Sequence, residues 1–130
     1  FKHTLRHHIV VGATCSIADL RDPAQLVAEM EEIRTIRRSK YPMKYPNCGS
    51  VFKRPPGDYA GRLIQAAGLG GLTVGRAQVS TVHRNFIINL GGATAADVTA
   101  LISEVQRCVE DQSGIRLERE LVYLHELLPA

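Results

Sequence analysis

Asn47-Cys48-Gly49-Ser50-Val51-Phe52-Lys53-Arg54-Pro55-Pro56-Gly57 sets one small hydroxyl side chain, Ser50, directly after a glycine. An apolar pair and then a basic pair follow, and Pro55-Pro56-Gly57 breaks the chain. A Lys/Arg-rich segment stands upstream, from Arg34 to Lys40. The pattern predicts a serine displayed on a Pro/Gly-punctuated connection, Tyr41 to Gly57, at the edge of an anion-binding pocket. Two readings of Ser50 stay open: a turn serine that satisfies loop amides, or a proton donor to a strongly basic acceptor such as an enolate. A nucleophile for acyl transfer is poorly supported, because neither a Gly-x-Ser-x-Gly context nor a His-Asp pattern surrounds it.

Upstream, Asp22-Pro23 reads as a helix start, with Asp as N-cap, Pro at the first helical position and Gln25 in capping-box register. Leu26, Met30 and Ile33 recur at helical spacing, with Val27 widening the apolar stripe. Arg34, Arg37, Arg38 and Lys40 close this helix, where cations suit the dipole; a solvated helix end is the ordinary reading of them. Before the helix, β-branched residues from Ile9 to Ala18 read as a strand.

Downstream, Asp58 to Ala67 reads as a short helix stopped by Gly68. Gly68, Gly70, Gly71 and Gly75 follow, spaced neither as a dinucleotide fingerprint nor as a P-loop, so turns are expected there rather than a phosphate cradle. Ala77 to Ser80 and Asn85 to Leu90 read as strands, the second apolar on both faces and so central. Thr94 caps a last long helix with the stripe Val98, Leu101, Ile102, Val105 and Val109, beside which Cys108 reads as core. Gly114 ends it, and Ile115 to Leu124 alternates as a final strand. The succession β-α-(loop)-α-β-β-α-β predicts an α+β fold, a single domain with helices packed on a mixed β-sheet.

In that final segment, Glu120 falls where charged residues give way to apolar ones. A carboxylate half buried there would hold its proton more tightly, as a catalytic acid does, and an ordinary salt bridge to a neighbouring arginine is the alternative. Cys48 with His83 as base is a weak candidate pair, since nothing in the sequence brings them together. His3, His7 and His8 cluster without further ligands, and no metal site is expected.

The 130 residues suit one compact domain, and 45% apolar residues suffice for one core. A formal charge of +3 with no block of like charges, 5% aromatic residues and no Trp give no reason to expect nucleic acid as a partner. Three cysteines with no Cys-x-x-Cys argue for a reducing cytoplasm. The apolar run Ile9-Val10-Val11 is too short for a signal core or a membrane span. The chain opens on Phe1 rather than Met, which reads as a processed or excised piece.

Lys40-Tyr41-Pro42 and Tyr45-Pro46 followed by Asn47 to Gly57 resemble the active-site loop of the UDP-N-acetylenolpyruvoylglucosamine reductase (UDP-N-acetylmuramate dehydrogenase) family. The likeness continues in order through Ala60-Gly61-Arg62-Leu63-Ile64, Ala77-Gln78-Val79-Ser80, His83, Asn85-Phe86-Ile87-Ile88-Asn89, Ala93-Thr94 and Leu117-Glu118-Arg119-Glu120. It is most similar to the shorter of the family's two main types. The resemblance implies a bacterial cytoplasmic flavoenzyme of peptidoglycan synthesis, in which NADPH reduces FAD and the enolpyruvyl group of a UDP-sugar is then reduced to the lactyl ether. By motif position Ser50 would donate the proton, Glu120 would assist, and Lys40 and Arg54 would contact substrate. Lys2, in Phe1-Lys2-His3-Thr4, would stand where the family carries an active-site arginine, keeping the charge but losing the planar fork. Arg76 and Arg84 occupy positions where the family usually has a glycine and a small residue.

The resemblance also implies that residues 1–20 are the end of a flavin-domain-like segment, or a first strand, and that 21–130 are the C-terminal substrate-binding domain. The flavin-binding portion would then be a further partner, holding most of the FAD. A non-catalytic module that binds a nucleotide sugar is the competing expectation.

Overall fold

The computed structural model describes residues 8–17 and 19–126. The chain divides into two units, Phe1–Glu32 and Ile33–Ala130.

In the first unit, the described residues before Asp22 form no regular element. The strand expected over Ile9 to Ala18 is therefore corrected; Ala18 lies outside the described residues. β-branched residues make a strand when a neighbour pairs with them, and Ile9 and Val11 stand 90% and 96% exposed. The helix start holds. Helix α1, Pro23–Lys40, begins where the Asp22 carboxylate accepts the Ala24 N–H at 3.1 Å. Its apolar stripe is not buried as the spacing implied: Leu26 is half-buried, and Val27, Met30 and Ile33 are exposed. Charged residues crowd the same sequence, from Glu29 to Lys40, and leave the helix only weakly amphipathic.

Among the described residues, the second unit is built on four strands: β1 Asn47–Ser50, β2 Thr73–Val74, β3 Ala77–Val79 and β4 Phe86–Asn89, in the order β1-β4-β3-β2. Every pairing is antiparallel, so the α+β expectation stands and the mixed sheet is corrected. Short hairpin-scale connections between β2, β3 and β4 permit this without a crossover helix. β4 lies between β1 and β3, the central position expected from its apolar run Phe86-Ile87-Ile88. Helix α2, Ala60–Ala66, adds Ala60, Leu63 and Ile64 to the core, and Gly68 follows its end with φ +71°.

Helix α3, Ala95–Ser113, packs on β2, β3 and α2 through Leu101, Ile102, Val105 and Val109. Its start is a full capping box: Thr94 Oγ1 accepts the Asp97 N–H at 3.1 Å, and the Asp97 carboxylate accepts the Thr94 N–H at 3.0 Å. Gly114, with φ +69°, closes it. Cys108 is half-buried rather than core, its thiol bonded to Glu104. The glycine-rich stretch forms turns, as expected. Gly75 carries the β2–β3 reversal at φ +54°.

Two further expectations change. The connection Tyr41 to Gly57 contains a strand, β1. The final segment is not a strand beyond one bridge, Phe52 with Arg119, and it closes in a 3-10 turn, Leu124–Glu126. Arg119 turns its side chain onto Glu126 at 2.7 Å and over the Tyr123 ring at 4.1 Å, which bends the chain back on itself.

Candidate active site

Ser50 owes its direction to a bulge. Between the pairs Asn47–Ile88 and Ser50–Phe86, β1 advances one residue more than β4. Gly49 sits in that extra step at φ +84°, and its N–H is held by the Asn47 side chain at 3.1 Å. No atom approaches where a Gly49 Cβ would stand, so the backbone angle, not space, calls for glycine. A bulge of this kind re-aims the residue that follows it. Ser50 is exposed and lines a cleft of about 470 Å³.

The segment after Ser50 is clamped on both sides. The Val51 N–H donates to the Asn85 carbonyl at 2.9 Å, and the Val51 carbonyl accepts the Glu120 N–H at 2.8 Å. The buried Asn85 amide holds both backbone groups of Phe52, accepting from its N–H at 3.0 Å and donating to its carbonyl at 2.8 Å. The Lys53 N–H donates to the Glu118 carbonyl at 2.8 Å, and the two side chains form an ion pair. One stretch of backbone thus carries Ser50 and positions Glu120 at the same cleft.

Three arginines line that cleft: Arg54, Arg62 and Arg84. Arg62 is committed to Asp58, one helical turn away, whose carboxylate also accepts the Tyr59 N–H at 2.6 Å. The Arg62 guanidinium, and then that N–H, hold the Asp58 carboxyl down at a pKa of about 2. Arg54 lies 4.1 Å from the Tyr59 ring centre and donates from Nε to the Asp58 carbonyl at 3.3 Å. Among the described residues, neither Arg54 nor Arg84 pairs with a carboxylate. His83 accepts the Asn85 N–H at Nδ1, 3.3 Å away, which leaves its ring proton on Nε2. Its ring stacks on Tyr41 at 5.5 Å.

The structure therefore brings Ser50, Arg54 and Glu120 to one cleft. Glu120 is exposed there rather than half-buried. Lys40 stands exposed at the end of α1 and is not among the residues lining the cleft; Lys2 lies outside the described residues. Cys48 opens on a separate apolar cleft with Ile88, Val98 and Leu121, away from His83. Among the described residues no group of side chains is arranged for a metal. The Asp58–Arg62 pair was open to prediction from its spacing of four, and its place in the cleft was missed. Asn85 gave no signal, because its partner Phe52 lies 33 residues away.

The glycine-rich turns offer no seat for a flavin pyrophosphate. The Arg84 side chain fills the space beside Gly70, and the Asp97 carboxylate fills that beside Gly75. Among the described residues these turns therefore do not fit that group.

A family model described as UDP-N-acetylenolpyruvoylglucosamine reductase, C-terminal domain, matches residues 41–124. The chain belongs to the UDP-N-acetylenolpyruvoylglucosamine reductase family. The reductase of that name from Listeria innocua is 47% identical over 121 residues, covering 93% of this chain and 40% of that protein. A relative from Symbiobacterium thermophilum, called UDP-N-acetylenolpyruvoylglucosamine reductase 2, is 56% identical over 100 residues, 77% of this chain and 32% of its own. The crystal structure of the Thermus caldophilus reductase superposes with a TM-score of 0.58 at 40% identity, over 78% of this chain and 36% of that one. The chain thus spans about 40% of the length of the curated relatives, and the matched family domain holds the whole cleft.

Proposed function

We propose that this chain is the substrate-binding, proton-donating part of a reductase that converts UDP-N-acetylglucosamine enolpyruvate to UDP-N-acetylmuramate in peptidoglycan precursor synthesis. The observation that carries the reading is the joint anchoring of Ser50 and Glu120 on Val51 at the rim of a cationic cleft. An enolpyruvyl group is an α,β-unsaturated carboxylate. A hydride delivered to its terminal carbon leaves an enolate that needs one proton on the neighbouring carbon. The hydride would come from NADPH by way of FAD, held by the flavin half of a longer polypeptide.

Ser50 supplies the proton. A serine hydroxyl is too weak an acid for most acceptors, but an enolate carbon is basic enough, and nearby guanidinium groups stabilise the alkoxide left behind. Glu120, on the same rim, helps to stabilise or protonate the developing intermediate. Arg54 binds the substrate's anionic portion; on motif position alone, Lys40 is a further substrate contact and Lys2 a catalytic cation. The three cysteines suit a reducing cytoplasm, and among the described residues no helix is long and apolar enough to cross a membrane.

Ser50→Ala in a full-length reductase bearing this domain tests the assignment. Turnover is expected to collapse while KM for the UDP-sugar stays near the parent value, and undiminished turnover would reject the role. A second reading, a module that holds a nucleotide sugar without chemistry, draws on the lack of a flavin cradle among the described residues. It predicts substrate binding by this chain with no reduction even when a flavin-bearing half is supplied.

A further inference from the structure

We propose that Arg84 is a specificity-determining contact to the diphosphate of the nucleotide sugar, and that Gly70 is the seat that holds it in place. The proposal rests on the reading of the cleft as a nucleotide-sugar site.

Arg84 is half-buried and lines the cleft beside Ser50 and Glu120. Two features fix its position. Its Nη1 donates to the Ser80 carbonyl at 3.1 Å. Ser80 is itself buried, and its hydroxyl accepts the N–H groups of Val82 and His83 at 3.1 and 3.2 Å, so this carbonyl is a firm anchor. On the other side the arginine packs against Gly70. A Cβ there would stand 2.6 Å from Nε, 2.8 Å from Cζ and 3.0 Å from Cδ of Arg84.

Gly70 differs from its neighbours in why it is glycine. Gly71 and Gly75 have φ of +86° and +54°, whereas Gly70 is outside the left-handed region. Its backbone would accept alanine; the space beside it would not, because the guanidinium occupies it.

The two anchors leave most of the five-donor fork uncommitted, and among the described residues Arg84 has no carboxylate partner. A half-desolvated cation without a counter-charge favours an anionic ligand, and the planar fork matches phosphate oxygens. Arg62 is spent on Asp58, which leaves Arg54 and Arg84 as the cleft's guanidinium groups with no carboxylate partner among the described residues. Two such groups match the two charges of a diphosphate diester.

The test is calorimetric titration of this chain with UDP and with uridine, for the parent, Arg84→Ala, Gly70→Ala and the double variant. The parent is expected to bind UDP more tightly than uridine. Arg84→Ala should weaken UDP about tenfold and leave uridine unchanged. Gly70→Ala should keep its thermal midpoint, because a flexible side-chain end yields to the new methyl, yet lose UDP affinity to a similar degree. The double variant should bind no more weakly than Arg84→Ala alone, since both remove one contact. Arg84→Lys, with charge but no fork, should fall between.

Parent-like UDP affinity in either single variant, or additive losses in the double, would overturn the proposal. If the parent binds neither UDP nor uridine, the nucleotide-sugar reading fails together with it. If the parent binds both and Arg84→Ala changes nothing, that reading survives and this inference alone is lost.

Discussion

Asn85 holds Phe52 by both of its backbone groups through a single side-chain amide, with the N–H and the carbonyl at 3.0 and 2.8 Å. The amide takes over where the β1–β4 ladder stops, just beyond the bulge that turns Ser50 outward. Asn85→Ala would leave two buried backbone groups unpaired and should cost roughly 2 to 4 kcal/mol in urea unfolding. Asn85→Asp separates the two bonds. A carboxylate still accepts from the Phe52 N–H but confronts its carbonyl, so the protonated form is favoured in the fold and the pKa there is raised. That variant should lose stability as pH rises above the ordinary carboxylate range, which the parent should not do. A flat pH response in Asn85→Asp would show that the amide's donor side is not needed.

Glu120 separates chemistry from folding. Its side chain is exposed and its backbone N–H, not its carboxylate, binds Val51. Glu120→Gln in a full-length reductase should therefore shift the unfolding midpoint by less than about 0.5 kcal/mol equivalent. Turnover should fall by about a hundredfold if the carboxylate handles a proton. Equal turnover in steady-state assays would confine Glu120 to a bystander role.

Acid should weaken the fold through two named carboxyls. Asp58 is depressed from 3.8 to about 2 by Arg62 and the Tyr59 N–H, and Asp97 is lowered by the N–H groups of Thr94 and Arg76. Each folded pKa lies below its unfolded value. Their contribution is therefore complete above pH 3.8 and is lost as pH falls towards about 2 for Asp58. Thermal midpoints measured down this range should decline, and Asp58→Asn should flatten the decline. An acid limb as steep in the variant as in the parent would exclude Asp58 as its source.

Gly75→Ala should behave unlike Gly70→Ala. At Gly75 the backbone is left-handed and a methyl would collide with the Asp97 carboxylate. That carboxylate is half of the capping box that starts α3. Strain of about 1 kcal/mol and a weakened cap of about 1 kcal/mol predict a loss near 2 kcal/mol in chemical denaturation. A stable Gly75→Ala would mean that the turn can reset without disturbing the helix start.

The locally coded parts of the fold were legible. Asp22-Pro23, Thr94 and Gly114 mark helix ends by chemistry within a few residues, and the apolar run of β4 announced its central place. What depended on distant partners was not. Ile9 to Ala18 has strand composition, but among the described residues, which leave out Ala18, no ladder forms there, and Ile115 to Leu124 alternates correctly yet is bent by the Arg119–Glu126 pair. β1 was hidden because Asn47, Cys48, Gly49 and Ser50 are poor strand formers held by their register on β4. Ser50, Arg54 and Glu120 stand out in the sequence itself and share one cleft. The grip of Asn85 on Phe52 and the seating of Arg84 on Gly70 became visible only with the chain folded, because each joins residues from different elements.

Val51 gives its N–H to Asn85 and its carbonyl to Glu120, so both sides of the cleft rim share one local stability. A fluctuation that frees Val51 loosens the serine and the glutamate in the same event, and amide exchange at Val51 and Glu120 would follow one opening. Under the proposed reaction this has a chemical meaning. A site with its glutamate in place but its serine astray would strand a reactive enolate without a proton. Tying both to one residue makes that half-assembled state rare: the rim is whole, or it is open and takes no substrate through the reaction.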